Sequence, residues 1–174
     1  ALHAALGGAL TLDEINPWYF RAPVAPSLAA ARAGKSLSLA QVLAHIRPLQ
    51  RKFDVTLVEG AGGLLSPLGG NFDSRDLIAA LRAEPIIVAP NKLGVINHLL
   101  LTLEALPKRL RAKAKVVLMT PSKPDAATAS NVKLLGQFFP PRKILVLPWF
   151  GKQIPATAVK LPQATRLLAK LWPS

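Results

Sequence analysis

Asp54-Val55-Thr56-Leu57-Val58-Glu59-Gly60-Ala61-Gly62-Gly63 is the one segment of this sequence that looks built for chemistry. Val55 to Val58 are all β-branched or aliphatic, the run expected of a strand buried on both faces of a parallel sheet. The run stops at a carboxylate, and three glycines occupy the next four positions. Lacking a Cβ, such a turn can take positive φ and let a ligand approach its backbone. Open parallel sheets bind ligands at the carboxyl ends of their strands, which is where Glu59 falls. An acid there, beside backbone N–H donors, suits Mg²⁺ carried on a nucleotide or a small substrate to be polarised. A solvent-exposed acid before an ordinary glycine loop is the competing reading of the same letters.

Working outward, Ile86-Ile87-Val88 between Pro85 and Pro90, Lys115–Met119 and Ile144–Leu147 read as three further short buried strands. Helical spacing predicts a helix capped by Ser38 and running to about Arg51, with Leu39, Val42, Leu43 and Ile46 on one face. Others are expected from Ser74, from the 91–98 glycine loop to about Lys108, and from Asp125 or Thr128 to about Phe138, where Pro140-Pro141 ends it. Gln163 to Leu171 is expected as a closing helix, and Ala1 to Leu10 as a helical tail broken at Gly7-Gly8. Strands alternating with helices predict α/β architecture, a parallel sheet flanked by helices with right-handed crossovers. At 174 residues one domain spanning 1–174 is expected.

Composition removes several classes of chemistry. There is no cysteine, so disulfides, thiolate nucleophiles and thiolate metal sites are excluded. The three histidines, His3, His45 and His98, are too scattered for a zinc site. No apolar run approaches the ~20 residues of a membrane span, and the first residues lack the basic start of a signal peptide. A cytoplasmic location is the expectation. Charge is uneven: residues 1–104 hold nine bases and eight acids, whereas residues 105–174 hold thirteen bases and Asp125 alone. Such asymmetry fits a polyanion-binding face, or merely a solvated basic surface. Lys108, Arg109, Arg111, Lys113 and Lys115 cluster without the interleaved aromatics of a base-stacking surface.

Two glycine motifs need separating. Gly34-Lys35-Ser36 carries the letters of a phosphate-binding loop, but the Ala-rich run before it favours helix where that motif requires a strand. It reads as a helix end with Gly34 as the cap. Asn91-Lys92-Leu93-Gly94-Val95-Ile96-Asn97-His98 instead opens a helix just past a strand. Unpaired N–H groups there form a receptor for a carboxylate or phosphate, or else the glycine only starts a helix. No acid or nucleophile flanks His98 to make it a base.

Val58-Glu59-Gly60-Ala61-Gly62-Gly63 with Ser66-Pro67-Leu68, and Lys92-Leu93-Gly94-Val95-Ile96-Asn97-His98, resemble the signatures of dethiobiotin synthetases. These are ATP-dependent enzymes of biotin synthesis in the P-loop NTPase superfamily. The resemblance implies that Glu59 is the catalytic acid and binds Mg²⁺, and that Gly60, Ala61, Gly62 and Gly63 line the substrate. It implies that Gly94, Val95, Ile96 and Asn97 hold the substrate carboxylate across a homodimer. Thr120, Pro148, Trp149 and Phe150 would border the base of ATP; the family commonly has asparagine where Thr120 stands and an acid shortly beyond Phe150. Its first βαβ unit, with the phosphate loop, matches nothing here, so this chain is expected to be the C-terminal two-thirds to three-quarters of such a domain. The implied reaction converts 7,8-diaminopelargonate to dethiobiotin. A non-catalytic derivative of the fold, binding RNA or a large assembly through its basic last third, is the alternative.

Overall fold

A computed structural model of the chain describes residues 2–151 and Ala169. The expected closing helix at Gln163–Leu171 and the missing acid of the 152–160 stretch lie outside the described residues, Ala169 apart. The chain divides into two compact units, Leu6–Ala83 and a second from Glu84 onward with His3–Ala5.

In the first unit, α2 (Leu12–Ile15) starts at a capping box between Thr11 and Glu14. Helix α3 (Pro26–Arg32) follows, with Pro26 in its first turn, where the missing N–H costs nothing. It ends in a Schellman motif: the Lys35 N–H donates to the Ala30 carbonyl at 2.8 Å and the Gly34 N–H to that of Ala31 at 3.0 Å. Gly34-Lys35-Ser36 is therefore a helix terminus, as its context predicted. Helix α4 (Leu39–Lys52) begins at Ser38, whose hydroxyl and Gln41 form a second capping box. Val42 and Ile46 of α4 pack with Leu37, Leu68, Phe72 and Leu77 of α5 (Ser74–Leu81) to form this unit's core.

The expected strand at Val55–Val58 does not form. Residues 55–60 have no ladder partner among the described residues, and Leu57 is 76% exposed. An aliphatic run is necessary for a buried strand but not sufficient, because each N–H and C=O also needs a neighbouring strand.

The second unit carries the sheet. Strands β1 (Ile86–Pro90), β2 (Lys115–Met119) and β3 (Ile144–Leu147) are parallel in the order β1-β2-β3, with Val88 beside Val117 and Val117 beside Leu145. Val116 and Leu118 on one face of β2 are fully buried. On the other face Val117 packs with Leu145 and Leu147. The crossover from β1 to β2 contains α6 (Val95–Ala105) and α7 (Lys108–Lys113). A single helix to Lys108 was expected, but Pro107 holds Leu106 in an extended conformation (ψ 137°) and splits it. Helix α8 (Ala126–Leu135) and a 3-10 turn at Pro141–Lys143 complete the crossover to β3. Preceding all of these, α1 (Leu2–Ala5) ends before Gly7 and Gly8, both at positive φ, where the tail was expected to break. No described helix is long and apolar enough to cross a membrane.

Candidate functional site

Because the three strands are parallel, their carboxyl ends form one edge. The ladder continues one step past the strands. The Asn91 N–H donates to the Met119 carbonyl, and the Thr120 N–H to that of Leu147, both at 2.8 Å. The chain thus leaves the sheet at Asn91, Thr120 and Pro148 side by side. Thr120 thus lies next to the start of the Pro148–Phe150 segment. Trp149 is about half exposed, while Phe150 packs against the cluster of Val117, Leu145 and Leu147. The Thr120 hydroxyl makes no hydrogen bond among the described residues.

Beyond Asn91 the chain turns into α6. Gly94 is its N-cap at φ 89° and offers no side chain to bond the first-turn amides, unlike the capping boxes of α2, α4, α5 and α8. The Val95 N–H donates to the Lys92 carbonyl at 3.2 Å. The N–H groups of Ile96 and Asn97 have no acceptor among the described residues. Two amides at the positive end of an eleven-residue helix therefore remain available to an anion. His98 is exposed and only its backbone is bonded, through its N–H to the Gly94 carbonyl and its carbonyl to Thr102.

A polar network missed by the sequence reading fixes this turn. Buried Asn131 of α8 donates through Nδ2 to the Asn91 side-chain oxygen at 2.9 Å and to the Lys92 carbonyl at 3.3 Å. Asn91, also buried, donates through Nδ2 to the Thr128 carbonyl, and the Thr128 hydroxyl donates to the Asn91 carbonyl at 3.0 Å. Asp125 caps α8 by accepting from Thr128, and its second oxygen accepts from the Leu93 N–H at 2.8 Å. That Leu93 bond first, and the Thr128 hydroxyl second, hold the Asp125 carboxyl below its ordinary range. The pairs lie 32 to 40 residues apart, so the only signal in the sequence was Asp125 as a helix start.

The Glu59 loop, in the other unit, is organised locally. Glu59 is exposed, and its carboxylate has no hydrogen bond or ion pair among the described residues. Gly60, Ala61, Gly62 and Gly63 are exposed as well. Gly62 sits at φ 83°, and a Cβ there would lie 2.4 Å from the Ser66 hydroxyl. Ser66 closes the turn, its hydroxyl accepting from the Gly63 N–H and its own N–H donating to the Gly63 carbonyl. A bridge between Pro67 and Asp73 returns the chain to α5, where Asp73 and Asp76 form the capping box. The buried hydroxyls of Thr56 and Ser74 lack partners among the described residues, and the Ser74 oxygen lies 3.1 Å from where a Gly60 Cβ would be.

The described residues contain no cluster of three metal-ligating side chains. A lone carboxylate with both oxygens free fits Mg²⁺, which keeps several waters and takes its other ligands from substrate phosphates. Of the basic cluster, Lys108 and Arg109 on α7 are exposed, whereas Arg111 pairs with Glu104 and Lys113 with Glu84.

A family model described as an AAA domain matches residues 4–157. An ATP-dependent dethiobiotin synthetase BioD of Anaeromyxobacter dehalogenans is 38% identical over 149 residues, covering 85% of this chain and 67% of that protein. The protein of the same description from Anaeromyxobacter sp. strain K is 40% identical over 139 residues, 79% of this chain and 62% of its own length. That from Bacillus velezensis is 44% identical over 96 residues, 55% of this chain and 41% of its own length. The chain thus spans two-thirds or less of the curated relatives it matches.

Proposed function

Because the chain belongs to the dethiobiotin synthetase family of P-loop NTPases, we propose that it takes part in the ATP-dependent conversion of 7,8-diaminopelargonate to dethiobiotin. The observation that carries this reading is the gathering of Asn91, Thr120 and Pro148 at the carboxyl edge of a parallel sheet, beside a helix start with two open amides. One amine of the substrate adds to CO₂ and loses a proton, giving a carbamate. A carbamate oxygen then attacks the γ-phosphorus of ATP and ADP leaves. The second amine attacks the activated carbonyl, phosphate departs, and the cyclic urea closes.

In this scheme the Ile96 and Asn97 N–H groups bind the substrate carboxylate at the dipole end of α6, and Gly94 and Val95 shape their approach. Within the proposed homodimer that carboxylate belongs to the substrate of the other subunit. Thr120, Pro148 and Trp149 border the nucleotide base, with Phe150 supporting Trp149 from the sheet. Gly60 to Gly63 line the reacting end of the substrate. Glu59 holds Mg²⁺, which offsets phosphate charge during transfer. The reaction takes place in the cytoplasm. The test is to follow ADP and dethiobiotin formation from the diamine, bicarbonate, ATP and Mg²⁺. ADP release that ignores the diamine would overturn the reading.

A further inference from the structure

The turn that sets up the open amides of α6 has almost no conformational freedom of its own left. Between Asn91 and Leu93 the N–H groups of Asn91, Lys92 and Leu93 and the carbonyls of Asn91 and Lys92 all have partners. Only the Lys92 N–H finds its acceptor, the Pro90 carbonyl at 3.0 Å, within the turn. The Asn91 N–H is fixed by β2, and the other three groups are bonded by Asp125, the N-cap of α8, and by Thr128 and Asn131 within it, the Lys92 carbonyl also accepting from the Val95 N–H. The Asp125 bond is nearest the helix start, reaching the residue directly before Gly94. Its acceptor is a carboxylate, and charge-assisted bonds of this kind are the stronger class. Asp125 has a second, local task, since its other oxygen accepts from the Thr128 N–H at 2.8 Å. One carboxylate therefore ties the start of α8 to the start of α6. Gly94, at φ 89° with no atom within 4 Å of a Cβ placed there, adds no restraint of its own.

We propose that Asp125 is a positioning residue for the substrate site: by holding Leu93 it fixes the turn from which the Ile96 and Asn97 amides receive a carboxylate. This rests on the reading of that helix start as the carboxylate site. Asp125 touches no substrate. Its effect is on affinity, because a turn free to sample other conformations binds only from the competent fraction.

The test is amide-resolved NMR on the full chain, with sodium pelargonate as the carboxylate probe, alongside kinetics with the diamine. In Asp125→Ala the Leu93 amide exchanges at least 10-fold faster than in wild type, and pelargonate binding at Ile96 and Asn97 weakens about 10-fold. The KM for the diamine rises by a similar factor while kcat stays within about two-fold, as expected for an interaction equal in ground and transition states. Asp125→Asn, which still caps a helix well, falls between. Ser38→Ala removes the cap of α4 as a stability control and changes none of these readouts. Unaltered Leu93 exchange in Asp125→Ala overturns the proposal, as does faster exchange with unchanged pelargonate affinity and KM. If wild type itself shows no response of Ile96 and Asn97 to pelargonate, the carboxylate reading is lost and the proposal falls with it.

Discussion

Two glycine-bearing segments carry the candidate chemistry, and they are held in opposite ways. The 91–94 turn is gripped from outside, by the β2 ladder and by side chains 32 or more residues away. The Glu59–Gly63 segment is folded on itself, with Ser66 as its clasp and no strand partner among the described residues. The first is suited to presenting backbone donors at fixed positions. The second presents one exposed carboxylate with no partner among the described residues, a carrier of charge more than of geometry. Position and charge are thus supplied by different parts of the chain.

The largest effect that would sharpen this contrast is chemical. Glu59→Gln is expected to lower kcat/KM at least 100-fold, about 2.7 kcal/mol, while leaving the melting temperature unchanged, because an exposed, unpaired side chain contributes little to stability. Assays of turnover and thermal melting on the same sample check it. A fall in stability equal to the fall in rate would break the contrast.

Next come the two positive-φ glycines. Gly62→Ala forces both an unfavourable backbone region and a displacement of Ser66, so the loss of its clasp adds to the conformational cost, about 2–3 kcal/mol together. Gly94→Ala meets no atom within 4 Å and pays only the backbone term, about 1–2 kcal/mol. Chemical denaturation of both variants should rank them in that order. The reverse order would mean that the α6 start is the more tightly built of the two.

The smallest effect is acid sensitivity. Asp125 and Glu14 both have lowered carboxyl values, Asp125 through the Leu93 N–H first and Glu14 through the Thr11 N–H first. A depressed folded value means that the stabilisation is present above the unfolded value, about 3.9 for Asp and 4.3 for Glu, and is lost as pH falls through the folded one. Asp125 is exposed and Glu14 only partly covered, so solvent screens both and the change is modest. Its location is the informative part. Acid should free the Leu93 amide, 32 residues from Asp125, but around Glu14 only the first turn of α2 should fray. Backbone exchange measured between pH 5 and pH 2 distinguishes them, and Asp125→Asn removes the transition at Leu93.

What could be read in advance follows the range of each interaction. The Ser38 cap and the Gly34 helix end depend on residues within five positions, and both were legible, although the reciprocal bond from Gln41 was not read. Thr11 with Glu14 carries the same kind of signal, at the start of a helix only four residues long. The sheet strands from Ile86 onward were legible because their apolar runs find parallel partners. Val55–Val58 has the same composition and found none, a fact no local pattern encodes. The Asn91–Asn131 bond depends on the β2 register and on the packing of α8, so it becomes visible only once the chain is folded.

One side of β1 has a consequence of its own. Ile86 and Val88 lie exposed on a strand that pairs with β2 alone among the described residues. Unsatisfied edge groups beside oily side chains are a seeding surface for intermolecular sheet growth. Val88→Lys, which sets a charge on that rim, is expected to lower light scattering at high concentration.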